Sequence, residues 1–315
     1  SSGNGGSIYL TPGTSTSGTA GKVIASTDMT VNGISVGKGL ASVSSNTAVG
    51  VSALAANTTG THNSGIGNTA LTVNTTGSYN TALGSTALAA VTTGSNNTAI
   101  GYKALNANVT TDQNTAIGSS ALQNNTAANN TAVGANVLSG NLTGTLNAGL
   151  GLNAMFNNTS GNNNSALGAI ALYANTTGSD NIAFGQRAGT AATGSQNVFL
   201  GSNAGISNTS VSNNILIGYG AGQYYGTLSN TNYTTGGGNV LIGNDVRPLA
   251  DGQSNQIVIA GYTGSGVGMT GNGSNTVTIG NTSNTANYLN GITNINTGTT
   301  TQTAGALITG TVITF

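Results

Sequence analysis

Cysteine, tryptophan and glutamate are absent from this sequence, and charged residues make up only 3% of it. Proline occurs only 2 times, and all 5 acidic residues are aspartate. Without cysteine, the chain can form neither a disulfide nor a thiolate metal site. The absence of glutamate and the scarcity of lysine and arginine remove most of the good helix formers other than alanine and leucine. The composition therefore disfavours a helical protein.

The charge balance and the hydropathy pattern exclude two classes of partner. The net charge is +0, so the chain has neither a basic footprint for nucleic acid nor a polybasic patch for a membrane surface. No apolar run approaches the ~18 to 20 residues of a spanning helix. Hydrophobic residues still reach 37%, which argues against disorder at zero net charge. We expect a folded chain that neither binds nucleic acid nor inserts into a membrane.

Turn-forming and β-branched residues dominate the sequence, with glycine alone occurring 51 times among many asparagines, threonines and serines. Such residues favour strands and tight turns over helices. The sequence therefore predicts an all-β fold.

A short repeat organises most of the chain. The pentapeptide Asn-Thr-Ala-(Val/Ile/Leu)-Gly, or a close variant, recurs in steps of 17 residues with two steps of 16. Its asparagines are Asn46, Asn63, Asn80, Asn97, Asn114, Asn130, Asn147, Asn164, Asn181, Asn197 and Asn214. An Ala-Leu block follows each pentapeptide in the early repeats, and a turn such as Asn57 to Gly60 closes them. This period is too short for helical hairpin repeats (~33 to 47 residues) or leucine-rich repeats (~20 to 29).

A period of this length suits one coil of a parallel β-roll or β-solenoid, with two short strands and two turns per coil. Stacked coils would place equivalent residues ~4.8 Å apart, so the repeated asparagines can form a hydrogen-bonded amide ladder. Eleven such coils would rise roughly 50 Å. The repeat thus predicts a rod.

Both faces of each strand carry apolar groups, as Ala82 and Leu83 illustrate. A thin coil can bury one face inside itself, and a continuous apolar stripe is not left exposed on soluble monomers. We therefore expect parallel self-association, with the alanines allowing close approach of sister chains and three-fold symmetry by analogy with other rods. The predicted assembly is an elongated homotrimeric fibre.

The later coils change in a coordinated way. The leucine of the second block becomes Gly189, Gly205 and Gly222, while the strand before each becomes bulkier, as in Val198-Phe199-Leu200. We predict that the larger side chains of the strand fill the space that the missing leucine side chain of the second block leaves, because a protein interior is closely packed.

The ends and an insertion divide the chain into four predicted regions: a cap or shaft-joining region (1–45), the repeat roll (46–218), an irregular insertion-bearing region (219–272) and a C-terminal β segment (273–315). Since the chain starts at Ser1 without a methionine, we expect a processed or excised product. Further strands are predicted at Ile8–Gly13, Met29–Ile34, Gln256–Ala260, Thr276–Gly280 and Ala306–Phe315.

The Asn-Thr-Ala-Ile-Gly and Ala-Leu blocks resemble the head repeats of YadA-like trimeric adhesins, which are left-handed parallel β-rolls, and more closely the repeats of bacteriophage tail fibres. The run Gly273–Asn281 is similar to segments that precede the self-cleaving chaperone of such fibres. The resemblance covers roughly residues 46 to 290, although the coil is longer than in YadA heads. It implies a homotrimer, contact with a host surface, and an extracellular location on a virion or a bacterial cell.

The inventory of reactive groups argues against catalysis. His62 is the only histidine, and neither cysteine nor glutamate is available to partner it. Asp245 and Asp251 are the only carboxylates close in sequence, as a polysaccharide depolymerase would require. We predict no enzymatic activity, no cofactor and no metal, with a depolymerase kept as an alternative.

A tyrosine-rich insertion is the best candidate for binding, because a tyrosine ring can stack on a sugar while nearby polar groups bond its hydroxyls. The predicted ligand-binding residues are Tyr224, Tyr225, Tyr233, Asp245, Arg247 and Asp251. The alternative is that these rings pack a widened end of the trimer.

A second functional alternative is an ice-binding β-solenoid, suggested by the scant charge and the stacked Thr81, Thr98 and Thr115. Ice binders favour a regular Thr-Xaa-Thr array, whereas alanine and an aliphatic residue follow each threonine here. The favoured hypothesis remains a structural fibre protein that attaches to a host cell surface. A glycan on that surface is one candidate for the receptor.

Overall fold

The computed structural model describes residues 28–39, 43–225, 232–261 and 269–280. Within these ranges the chain is all β, without a helix. The strands are β1 (Met29–Val31), β2 (Ile34–Gly37), β3 (Thr47–Gly50), β4 (Ser64–Ile66), β5 (Thr81–Leu83), β6 (Thr98–Ile100), β7 (Thr115–Ile117), β8 (Thr131–Val133), β9 (Ala148–Leu150), β10 (Ser165–Leu167), β11 (Ile182–Phe184), β12 (Val198–Leu200), β13 (Ile215–Ile217), β14 (Val240–Ile242), β15 (Ile257–Ile259) and β16 (Val277–Ile279). The strands predicted at Ile8–Gly13 and Ala306–Phe315 lie outside the described residues.

The strands form one sheet in sequence order, and every pair from β3 to β16 is parallel. Equivalent residues of successive repeats pair directly, as Ala82 does with Ala99. The result is a parallel β-solenoid of about 13 coils with turns of about 17 residues, which confirms the predicted all-β solenoid and its coil length. At ~4.8 Å per coil the stack rises roughly 60 Å.

Each coil contributes one short strand to the sheet, three residues long except for the four residues of β3, rather than the two strands that we predicted. The Ala-Leu block is a turn, in which Leu54 has φ 51° and Leu71 φ 53°. Both side chains of the block are buried, as Ala70 and Leu71 show with 0% exposure. Alternation along a strand would send one of the two outward, so only a turn can direct both into the core.

The predicted asparagine ladder is present in the coil interior. The backbone N–H of Asn80 donates to Oδ1 of Asn63 at 2.9 Å, and that of Asn97 donates to Oδ1 of Asn80 at 3.0 Å. In most coils the side-chain amide also donates to a carbonyl of the turn that precedes the next asparagine, as Asn63 Nδ2 does to Gly77 O at 2.8 Å, whereas Asn114 Nδ2 donates to Asp112 O of its own coil at 3.2 Å. The ladder satisfies buried backbone groups that a tight coil would otherwise leave unpaired.

The predicted exchange of volume between the strand and the second block is confirmed for Phe199 and Leu216, whereas in the coil of Gly189 the inward strand residue is Ala183 and Phe184 points outward. The ring of Phe199 lies between Gly189 and Gly205, since a Cβ on either glycine would fall within 3.0 Å of it. A Cβ on Gly222 would lie 2.7 Å from Leu216 Cδ1 in the same way. The large strand residue thus occupies the space that the leucine side chain fills in earlier coils, which keeps the interior closely packed.

The start of the sheet and the insertion both keep the register. Asn32 and Gly33 (φ 50° and 83°) form the two-residue turn of the β1–β2 hairpin, whose second strand pairs antiparallel with β3. Ile215 pairs with Val240 although 25 residues separate them, so the insertion leaves the stack and returns to it. The sheet therefore continues unbroken to Ile279, through the region 219–272.

Candidate functional site

The outer face of the parallel sheet carries a continuous apolar column. The middle residue of each three-residue strand points into the coil, while the first and third point outward, as in Thr81, Ala82 and Leu83. The third residues form the column: Val49, Ile66, Leu83, Ile100, Ile117, Val133, Leu150, Leu167, Phe184, Leu200, Ile217, Ile242, Ile259 and Ile279. Our expectation that the strand alanines line a contact between chains is wrong, because these alanines are buried inside the coil.

The apolar column widens toward the C-terminal end of the stack. From β11 onward the first strand residue is apolar as well: Ile182, Val198, Ile215, Val240, Ile257 and Val277. Val277 is 61% exposed and Ile182 is 41% exposed. In the earlier coils this position holds threonine or serine, except at Ala148, beside which a shallow, largely apolar depression of about 280 Å³ opens. No strand residue in the described ranges is charged.

Three of the residues predicted to bind a ligand come together beside this sheet. Arg247 is 3% exposed and makes a two-pronged ion pair with Asp245, with Nε to Oδ1 at 3.0 Å and Nη2 to Oδ2 at 2.7 Å. Its guanidinium also lies 5.1 Å from the ring centre of Tyr224, in cation–π geometry. The arginine therefore fixes the orientation of both the carboxylate and the ring.

Tyr224 and Asp245 line a cleft of about 330 Å³. The complete lining is Asn203, Tyr219, Gly220, Gln223, Tyr224, Asn244 and Asp245. The residues Asn203, Gly220, Gln223 and Asn244 were missed by sequence reasoning, and Tyr219 was noted only as one of the clustered tyrosines. The repeat register could have found them, because the turn after each strand stacks on the corresponding turn of the next coil.

Tyr233 and Asp251 lie elsewhere, within the coil that closes the insertion. Tyr233 is 0% exposed, and its hydroxyl donates to Gly236 O at 2.7 Å while accepting from Asn239 Nδ2 at 2.6 Å. Asp251 accepts from the backbone N–H groups of Thr234 (2.9 Å) and Thr235 (2.7 Å). Tyr233 and Asp251 therefore stabilise this coil. The remaining predicted residue, Tyr225, follows Tyr224 in the chain and is half-buried.

Burial and hydrogen bonding shift the pKa values of Tyr233 and Asp251. Desolvation, reinforced by the negative charge of Asp251, raises the pKa of Tyr233 well above its ordinary value. Partial burial by itself would raise the pKa of Asp251, but hydrogen bonds from Thr234 and Thr235 outweigh it and hold that pKa below its usual range. Tyr233 is therefore held neutral and Asp251 is held charged near neutral pH.

The raised pKa of Tyr233 makes the stability of the fold depend on pH in a way that can be measured. The raised pKa of Tyr233 in the folded chain means that its stabilising effect is complete below the unfolded pKa of about 10 and is lost as the pH rises above it. We expect Tyr233→Phe to lower the free energy of unfolding by about 1–3 kcal/mol at pH 7, since it leaves buried partners unpaired. Urea unfolding from pH 7 to 11 should show a smaller alkaline loss in the variant than in the parent; equal losses would contradict the assignment.

The reactive groups of the described residues do not converge. No group of three or more His, Cys, Asp or Glu within those residues could hold a metal ion. His62 stacks on Tyr79 at 4.9 Å between ring centres. Asp245 pairs with Arg247, and Asp251 caps the turn after Tyr233. None of the described segments contains a helix long and apolar enough to cross a membrane.

Comparison with known proteins adds no family to these observations. No protein-family model, curated protein or solved structure matches the chain. Functional inference therefore rests on the apolar face and the cleft.

Proposed function

We propose that this chain is a structural fibre protein whose copies associate in parallel through the outer face of strands β3 to β16. One observation supports this above all: parallel sheets are stable with both faces covered, and here the coil covers only one. A stripe about 60 Å long exceeds the apolar patches that soluble monomers leave open. Sister chains stacked in the same register would bury it along its whole length.

The assembled fibre is extracellular and attaches a virion or a bacterium to a host surface. The resemblance of the repeats to tail fibres and trimeric adhesins supports three chains and this role. The near absence of charge also fits, because strands without charged residues present no barrier to face-to-face association. In this proposal the rod has a mechanical and adhesive task and catalyses no reaction.

Light scattering coupled to size-exclusion chromatography tests the proposal. We expect a particle of three 30.5 kDa chains that persists at micromolar concentration and in mild denaturant. A folded particle of one chain at low concentration would overturn it. Binding of the labelled particle to candidate host cells then tests the attachment role separately.

One observation favours a second candidate, ice binding. The first strand residues of β3 to β8 form an outward column on a regular sheet: Thr47, Ser64, Thr81, Thr98, Thr115 and Thr131. The neighbouring column is aliphatic, and the threonines end at Ala148, so the Thr-Xaa-Thr array is incomplete. Thermal hysteresis of the purified protein decides this point: activity supports ice binding, and its absence removes the candidate.

A further inference from the structure

The cleft beside Tyr219 arises from one missing side chain in a stacked column. In the coils of β3 to β14, the second residue after the glycine at the end of the strand has a left-handed backbone, and Asn203 (φ 60°), Gly220 (φ 63°) and Asp245 (φ 52°) occupy this position in three successive coils. Gly220 N donates to Ser202 O at 3.0 Å and Asp245 N to Tyr219 O at 2.8 Å, which fixes the stacking. Because Gly220 has no side chain, a gap opens between Asn203 and Asp245.

Glycine is not required by the backbone at this position. The same turn holds Asn136 and Asn153, both with φ 56°, whose side chains hydrogen-bond to each other at 3.1 Å. A Cβ on Gly220 would have its nearest neighbour in Oε1 of Gln223 at 3.2 Å, the movable end of a side chain. The fold therefore accepts an asparagine here, and the gap is a property of this sequence rather than of the coil.

The groups around the gap can bond a ligand on several sides. Each carboxylate oxygen of Asp245 accepts one hydrogen bond from Arg247. Each oxygen keeps a further lone pair that can accept a hydrogen bond from a ligand. Asn203, Gln223 and Asn244 each supply an amide with both donors and an acceptor. Tyr219 is 58% exposed and offers a ring face at the wall of the cleft.

The charge of the site limits the chemistry of the ligand. Asp245 and Arg247 neutralise each other, so the cleft offers no net charge to attract an anion or a cation. What remains is an aromatic wall with paired donors and acceptors, in a volume at the lower end of ligand pockets, which run from about 300 to 1,000 Å³. This combination suits a neutral polyhydroxylated ring, which presents an apolar face to an aromatic side chain and hydroxyls to amides and carboxylates.

We propose that the cleft formed by Tyr219, Tyr224 and Asp245 around Gly220 binds a neutral carbohydrate unit of a host-surface glycan. The inference rests on the proposed attachment function for its biological setting and supplies the contact through which attachment occurs. Tyr219 stacks on the sugar ring, Asp245 accepts from its hydroxyls, and the buried Arg247 holds Asp245 in place.

The test uses the full chain on an array of neutral, sialylated and sulfated oligosaccharides, followed by titration of the best neutral binder. Tyr219→Ala removes the exposed ring, and Gly220→Asn fills the gap with the residue that other coils hold there. Tyr102→Ala is the matched control, because Tyr102 occupies the same position of its own turn and is 52% exposed but lines no part of the cleft.

We expect the parent chain to retain neutral glycans, with affinity reduced about tenfold or more by Tyr219→Ala and by Gly220→Asn and unchanged by Tyr102→Ala. Circular dichroism and particle mass should match the parent in all three. Retention of anionic glycans alone, binding undiminished by both cleft variants, or no glycan retained would overturn the proposal. If the glycan proposal fails but the chains still form a three-chain particle that binds cells, the fibre proposal stands. If instead a one-chain particle binds neutral glycans, the fibre proposal fails and the glycan proposal stands.

Discussion

Replacement of Ile215 by aspartate is expected to convert a three-chain particle into single folded chains. Ile215 is 39% exposed on the outer sheet face, where the apolar stripe is two residues wide. In the proposed assembly the substitution would bury an unpaired carboxylate in each chain, at a cost of several kcal/mol per ion, and would remove apolar contact as well. The mass measured by light scattering should fall to 30.5 kDa.

The matched control is Leu146→Asp. Leu146 is 59% exposed, more than Ile215, but lies in a turn, and Asp180 occupies the same turn position two coils later. This variant should keep the mass of the parent particle. If Ile215→Asp also keeps the parent mass while its circular dichroism is unchanged, the outer face of the sheet is not the interface between chains.

The second large effect is expected inside the coil. Phe199→Ala should lower the free energy of unfolding by about 3–5 kcal/mol, because Gly189 and Gly205 offer no atoms to fill the space that the ring leaves. Urea unfolding followed by circular dichroism measures the change. Hydrogen exchange should show faster opening in the coils around β12 than at β5, since each coil of a solenoid contacts only its neighbours.

A rescue variant distinguishes loss of packing from other causes. Phe199→Ala combined with Gly189→Leu and Gly205→Leu restores the arrangement of earlier coils, in which the strand has alanine and the turn has leucine. Leu172 holds this turn position with φ 50°, close to the φ 58° of Gly189, so the backbone accommodates the change. The triple variant should recover most of the lost stability, whereas Gly189→Leu alone should destabilise by about 1–3 kcal/mol through overpacking. Failure of the rescue would show that the volumes are not exchanged between the two segments.

Only part of the binding prediction identified residues that meet in space. Tyr224, Asp245 and Arg247 come together because the turn after β14 stacks on the turn after β13. Tyr233 and Asp251 were chosen for the same chemistry, yet they close the coil of the insertion. Residue type and proximity in sequence could not separate these groups, since burial decides whether a tyrosine packs or binds.

The stacking of the coils, the asparagine ladder and the packing of Phe199 follow from the order of residues in the repeat. A fixed repeat places equivalent residues one above another, so the conformation of one coil is imposed on its neighbours. Which face of each strand is buried became clear only from the folded coil, because a pattern such as Ala82-Leu83 is apolar on both sides. The interior of the coil already holds the turn leucines, such as Leu88, so the strand contributes Ala82 to it and leaves Leu83 outside. The same stacking of coils creates the cleft, because Gly220 has no side chain in its column.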